Sequence, residues 1–285
     1  MKQFSIRVSA LALLALWLGA PASAQQIEFT RIKREVIEAR LRQSSTKNAE
    51  REAGLKKIFE EAGCQGERLT EQPVKGSRLP NLICTLPGAT DSVIIVGAHF
   101  DQAEVGKGVV DNWSGASLLP SLFEGLRTHP RRHTFVFIGF TDEEKGLVGS
   151  EFYAKQLTDE QKAKTRAMVN MDSLGLSPTK VEVNRSDPKL VDLLDRVAQT
   201  LKLPVSGMNV DQVGLTDALP FSKRRVPVLS IHSVTQETLA VLHSPRDTLG
   251  AVKLDDYYDT YRLLAAYLAV LDSVPDPNPT DRAGQ

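Results

Sequence analysis

Cysteine is scarce in this chain, with only Cys64 and Cys84 in 285 residues. A thiolate-rich zinc site is therefore excluded, and any bound metal must rely on imidazole and carboxylate ligands. Excess charge of either sign is also missing, with 35 Lys plus Arg against 35 Asp plus Glu. Without a basic surplus, nucleic acid and anionic membrane surfaces are not expected partners. There is no internal repeat and no low-complexity block. The apolar stretch from Val8 to Ala20 is too short for a membrane span, which takes about 20 residues.

That stretch reads instead as the centre of a secretory signal. Lys2 and Arg7 precede it, and Ala22-Ser23-Ala24 offers a small-residue cleavage site. Residues 1–24 are expected to be removed near Ala24, leaving a secreted or periplasmic protein with no membrane segment in its mature form. No cysteine directly follows the cleavage site, so a lipid anchor there is not suggested. Roughly 260 residues remain, enough for one large domain with a substantial core. We expect that domain over residues 25–273, with a helical N-terminal segment at about 27–63. A flexible tail rich in Pro and polar residues is expected over 274–285. In an oxidising compartment Cys64 and Cys84 can pair, for a gain of about 3 kcal/mol. Two separate buried thiols are the alternative.

From Phe29 to Ala62 the pattern is helical: Ile32, Val36 and Ala39 share one face, then Leu55, Ile58, Phe59 and Ala62 another helix ending at Gly63. Apolar strands are expected at Leu82–Leu86, Val93–Val96, Phe135–Phe140, Ala167–Met171 and Val226–Ile231, with a weaker one at Val181–Val183. Between them run helices from Ser114 through Leu126 and from Pro188 through Leu201. Asp187 caps the latter and proline takes its first position. A last helix carries Tyr258, Tyr261, Leu264, Leu268 and Leu271 on one stripe. Continuous apolar strands alternating with helices predict a three-layer α/β/α sandwich around a mixed, mostly parallel sheet.

In such sheets, ligands bind beyond the carboxyl ends of the strands. His99 and Asp101 follow the strand from Val93, and Asp111 lies in the connection after it. Glu143 and Glu144 follow Phe135–Phe140, Asp172 follows Met171, and His243 lies in the loop after Ile231. Potential metal ligands and bases thus collect at one edge of one sheet. Adjacent carboxylates at the end of a buried strand repel, and a metal ion is the strongest offset. A solvated acidic turn is the commoner setting for Asp142-Glu143-Glu144 taken alone. His99 and Asp101 lie two apart, on the same side of an extended chain. The carboxylate can then hold the ring nitrogen that does not face a metal. A core histidine satisfied by its neighbour is the plainer account of that pair. Helix capping is the plainer account of Asn112 and Ser114.

These motifs together resemble the M28 family of di-zinc peptidases, mostly aminopeptidases. They are Gly97-Ala98-His99-Phe100-Asp101, Val110-Asp111-Asn112-Trp113-Ser114-Gly115, Glu143-Glu144-Lys145-Gly146-Leu147, Asn170-Met171-Asp172-Ser173, Thr216-Asp217-Ala218-Leu219-Pro220-Phe221 and His243-Ser244-Pro245-Arg246-Asp247-Thr248, in the family's order. The resemblance spans about Asn81 to Leu271. It implies two zinc ions per chain: His99 and Asp172 on one, Glu144 and His243 on the other, with Asp111 bridging and a shared water. Glu143 would be the general base and Asp101 the partner of the His99 ring. It also implies a cis Asp111-Asn112 peptide. The activity implied is removal of N-terminal residues from peptide substrates. On ligand type alone Zn, Mn and Co all suit the set.

Three features depart from the family or divide it. Ala218 stands where the family often has His, which leaves the metal set intact and bears on the substrate side. The linker from His99 to Asp111 is short. Glutaminyl cyclases are similar to the family and use much the same ligands with one zinc. They tend to carry Trp directly before the last His, where this chain has Leu242. A carboxypeptidase of the same fold is a further alternative, because the metal set does not choose the peptide end. Of the other histidines, His232 is the rival to His243. His129 and His133 are expected to face solvent. Trp113 is either a substrate wall or ordinary packing. Lys145 and Arg246 are expected to be solvated.

Overall fold

A computed structural model describes residues 27–209 and 214–275. The expected leader lies outside the described residues, as does the tail beyond Pro275. The strands are β1 Leu69–Gln72, β2 Asn81–Leu86, β3 Val93–His99, β4 Thr134–Phe140, β5 Thr165–Met171, β6 Lys180–Glu182, β7 Ser206–Met208 and β8 Val228–His232. They form one sheet in the order β1-β2-β4-β3-β5-β8-β6-β7. The centre, β4, β3, β5 and β8, is parallel. β2 pairs antiparallel with β4, and β6 with β8. This is the mixed, mostly parallel sheet the sequence implies.

Helices cover both faces: α1 Arg34–Leu41, α2 Asn48–Glu61, α3 Ser114–Ala116, α4 Leu119–Leu126, α5 Val148–Gln156, α6 Asp159–Lys164, α7 Pro188–Leu201, α8 Leu219–Ser222 and α9 Leu254–Ser273. Alternate residues of each central strand point to opposite faces. Val96, Phe137 and Val169 join a core with Phe59 of α2, Leu122 of α4 and Leu264 of α9. Ile95, Ile138 and Met168 pack on Ala154 of α5 and Phe221 of α8. Because both faces are covered, the central strands read as unbroken apolar runs. α7 starts where expected: the Asp187 side chain accepts from Lys189 N at 2.9 Å, ahead of Pro188.

The N-terminal helices are fastened to this sheet in two ways. Cys64, just past α2, is bonded to Cys84 of β2 across a Cα separation of 6.3 Å. In the chain-entropy account, closing a loop of that length stabilises by about 3 kcal/mol. Tyr261 of α9 accepts from Ile32 N at 2.8 Å through its hydroxyl.

Some expectations fail for identifiable reasons. The N-terminal helical region breaks at residues 42–47, and α1 buries Ile37 and Leu41, not Val36, which is 37% exposed. Ile32 is buried but lies ahead of the helix, so the stripe through Ile32, Val36 and Ala39 does not exist. His133 is buried, not solvent-facing, with Nε2 3.2 Å from Val274 O and Nδ1 3.5 Å from Thr90 Oγ1. Strands β1 and β7 carry no apolar run because they are short, polar edges, where only one side of the ladder is paired. The last central strand begins at Val228, after Pro227, which has no N–H for the ladder.

Candidate metal centre

Three of the four central strands, β3, β4 and β5, release a side chain of the candidate site at or just beyond their carboxyl ends. His99 is the last residue of β3, Glu143 and Glu144 follow β4, and Asp172 follows β5. His243 comes from the loop after β8, and Asp111 from the turn Val109–Trp113 ahead of α3. The chain returns to this edge because parallel strands must be linked by crossovers. Left-handed backbone recurs here in residues with side chains: Asp142 (φ 52), Ser173 (φ 64) and His243 (φ 50). Such conformations cost of order 1–3 kcal/mol each and collect at functional sites.

Asp111 stands at the middle. One carboxylate oxygen is 3.3 Å from His99 Nε2, and the other is 3.1 Å from His243 Nε2. His99 Nε2 also lies 3.6 Å from Asp172 Oδ1 and 4.0 Å from Glu143 Oε2. His243 Nε2 lies 2.9 Å from Glu144 Oε2. Two groups of ligand atoms result, each within 4.8 Å: His99, Glu143 and Asp172, then Asp111, Glu144 and His243. His99 is buried, and among the described residues its Nε2 has no hydrogen-bond partner. An orphaned buried ring nitrogen facing three carboxylates suits a cation, because a positive charge offsets their mutual repulsion. Imidazole and carboxylate donors fit zinc.

Asp101 ties the strand ends together. Its oxygens accept the backbone N–H groups of Glu143 at 3.1 Å and Glu144 at 3.2 Å. Oδ1 also lies 3.4 Å from His99 Nδ1, and the Asp101 carbonyl lies 3.2 Å from the same nitrogen. The ring is therefore oriented with Nε2 toward the cluster, as the spacing of the two residues implies.

The cluster's acidities record crowding. Burial first, then Asp217, Asp172 and Asp111, push the Glu143 carboxyl up to about 10. Burial and Asp111 push Glu144 up to about 7. Burial works against charge on His99, yet Glu143, Asp172, Asp101 and Asp111 raise it well above its ordinary value. Asp111, accepting from the His243 ring, raises His243 to about 9. Burial opposes ionisation of Asp111, but the His243 and His99 rings beside its two oxygens hold it below the usual range. Groups with raised folded values keep protons that the unfolded chain has lost. Glu144 and His243 therefore stabilise the metal-free fold most at low pH, and that contribution drains away as pH rises through about 7 and then about 9. The Asp111 contribution runs the other way but is lost only in strong acid. Thermal melts of chelator-treated protein should show Tm falling from about pH 5 to about pH 9. A divalent cation should flatten that slope and release protons as it binds. A Tm that rises across this window would contradict the cluster's electrostatics.

The other sequence expectations sort as follows. His232 stands apart from both ligand groups. Burial lowers it to about 4, and its Nδ1 accepts from Val234 N at 3.1 Å. Asn112 and Ser114 are structural. Asn112 Nδ2 donates to Met171 O at 2.8 Å, and its Oδ1 accepts from Gly115 N at 3.0 Å. A Cβ at Gly115 would meet Asn112 Oδ1 and Met171 O at 2.5 Å, which is why glycine sits there. Trp113 is packing, not a substrate wall: it is fully buried and its Nε1 donates to Arg40 O at 3.1 Å. Lys145 is largely exposed and pairs with Asp142 at 2.9 Å. Arg246 is exposed and donates to Ala240 O. The Asp111-Asn112 peptide is cis, as the resemblance implies.

Two residues near the site had no assigned role. Asp247 accepts Val110 N at 2.7 Å and Asp111 N at 3.1 Å, so it fixes the backbone under the central carboxylate. The His243-x3-Asp247 spacing was its only signal. Asp217 is buried, and that burial raises its carboxyl to about 7. Its sequence neighbours gave no hint of that burial.

Comparison with known proteins agrees with this architecture. The model of Peptidase family M28 matches residues 81–268. The leupeptin-inactivating enzyme 1 of Streptomyces exfoliatus is 31% identical over 157 residues, 54% of this chain and 35% of that protein. The chain thus spans about a third of the length of that curated relative. The Legionella pneumophila LapA aminopeptidase superposes with a TM-score of 0.76 at 20% identity, covering 86% of this chain and 73% of that one. A glutaminyl cyclase from an Acidobacteriales bacterium superposes at 0.72 with 21% identity, covering 90% of this chain and 99% of that one.

Proposed function

This chain belongs to peptidase family M28, and from that premise we propose that it is a zinc-dependent exopeptidase that removes N-terminal residues from peptides. The reading also holds that one domain, about residues 25–273, is exported after cleavage near Ala24. The observation that carries it is Asp111, whose two oxygens face His99 on one side and His243 on the other. His99, Asp172 and Asp111 would hold one zinc ion, and Glu144, His243 and Asp111 the other. Bound there, the pair would acidify water and polarise the scissile carbonyl.

The chain's own residues supply the rest. Asp101 fixes the His99 ring and, through two backbone N–H groups, the turn carrying Glu143 and Glu144. Glu143 is largely buried beside the cluster, with 11% of its side chain exposed. Its carboxylate would take a proton from the attacking water and hand it to the leaving amine nitrogen. Among the described residues, no helix is long and apolar enough to cross a membrane.

A second reading has one specific observation behind it, the full-length match to a glutaminyl cyclase. Leu242 in place of Trp before His243, and the intact run from Asp111 to Gly115, favour the peptidase. A screen of blocked and unblocked dipeptides, with zinc analysis on the same sample, separates the readings. We expect cleavage only of substrates with a free N-terminus, and about two zinc ions per chain. Cyclisation of N-terminal glutamine with about one zinc would instead select the cyclase. Cleavage of N-blocked peptides would select a carboxypeptidase.

A further inference from the structure

Arg51 lies on α2, outside the stretch that matches the family model. It is fully buried. A buried guanidinium is costly unless it is hydrogen-bonded, and each of its three nitrogens finds a backbone carbonyl. Nε donates to Phe100 O. Nη2 donates to Gly108 O at 3.0 Å, and Nη1 to Ser45 O at 3.1 Å and Lys107 O at 3.4 Å. Phe100 directly follows His99, and Gly108 lies three residues before Asp111. One side chain therefore grips both ends of the short loop between two candidate ligands. The indole of Trp113 lies against the guanidinium, 5.3 Å from ring centroid to Cζ, which fixes the other side of Asp111.

The loop is built to meet this group. Gly108 has φ 57, and a Cβ there would come within 2.5 Å of Gln102 Cβ and 3.1 Å of Arg51 Nη1. Asp101, Asp111, Asp247 and Glu144 all act electrostatically on the same cation. Arg51 is thus the fixed positive charge beneath an acidic cluster as well as the clamp on its loop. Lysine could replace the charge, but it lacks the planar fork that reaches several carbonyls at once.

We propose that Arg51 is a positioning residue of the metal centre, fixing the spacing of His99 and Asp111, so that the N-terminal helix is part of the site. The proposal rests on the zinc reading given above. It is tested by zinc affinity, measured by chelator competition on folded protein well below its Tm. Arg51→Met should weaken zinc binding about 10- to 100-fold, and Arg51→Lys should recover only part of that. Arg40 is the control, a buried arginine on α1 whose side chain bonds Ser121 and Glu124 away from the loop. Arg40→Met should lower Tm and leave zinc affinity unchanged. If Arg51→Met does not fold, the lysine variant carries the test, since it keeps the charge and most of the volume. Wild-type affinity in the Arg51 variants overturns the proposal, and so does an equal loss in Arg40→Met. Absence of zinc from the wild-type protein would sink the zinc reading itself, and this inference with it.

Discussion

Glu143→Ala should keep both zinc ions and lose about 10²- to 10⁴-fold in kcat, with a smaller change in KM. The two halves of that result depend on different atoms. Retention of metal follows if His99, Asp172 and Asp111 suffice for one ion. Loss of turnover follows if the Glu143 carboxylate moves the proton. The geometry leaves a sharp rival, because Glu143 Oε2 lies 4.0 Å from His99 Nε2 and shares a ligand group with Asp172. Were Glu143 a ligand, the alanine variant would bind less zinc, and the kcat loss would be restored by excess zinc. Were it a bystander, neither quantity would move. The geometry leaves room for the base: Glu144, the next residue along the chain, is held against His243 at 2.9 Å, while Glu143 stands at the edge of the His99 group. Zinc stoichiometry and steady-state kinetics on one preparation separate the three outcomes.

Much of the fold was legible because the central strands are buried on both faces. Val93–Val96 and Phe135–Phe140 read as apolar runs inside the observed strands, and the ligand types appear where those strands stop. His243 could be chosen over His232 only through the resemblance, and the geometry places it among the carboxylates while His232 turns to Val234 N. What the sequence hid depends on tertiary placement. Asp247 and Asp217 look like ordinary acidic residues until the loops carrying them are buried. Arg51 sits on a helix whose pattern says only that one face is apolar, yet its burial is set by the carbonyls of residues 100, 107 and 108. His133 failed for a related reason: its polar sequence neighbours suggested solvent, but Asp272 of α9 folds over and accepts the backbone N–H groups of Arg132 and His133. Local composition reports the neighbours along the chain, and these residues are defined by neighbours across it.

Asp111→Ala should empty the centre, taking zinc from about two ions per chain to well under one and hydrolysis to background. No other ligand substitution should do this. Asp172 lies on the His99 side alone and Glu144 on the His243 side, so removing either strips one ion's shell and leaves the other with three donors. Asp111 would serve both, because it turns one oxygen toward each histidine. Its carboxylate is also costly to move. The two oxygens of Asp247 hold the N–H groups of Val110 and Asp111, and Asn112 Nδ2 anchors the next residue to Met171 O. The backbone cannot swing another carboxylate into the gap. Asp111→Asn sharpens the test, since it keeps the shape and removes the charge. If charge neutralisation holds the ions, asparagine should lose zinc nearly as fully as alanine. If the two-sided geometry suffices, asparagine should retain at least one ion. A protein that keeps two zinc ions after Asp111→Ala would show that the pair is not bridged by this residue. The ions would then have to be held by the group of His99, Glu143 and Asp172 on one side and Glu144 with His243 on the other.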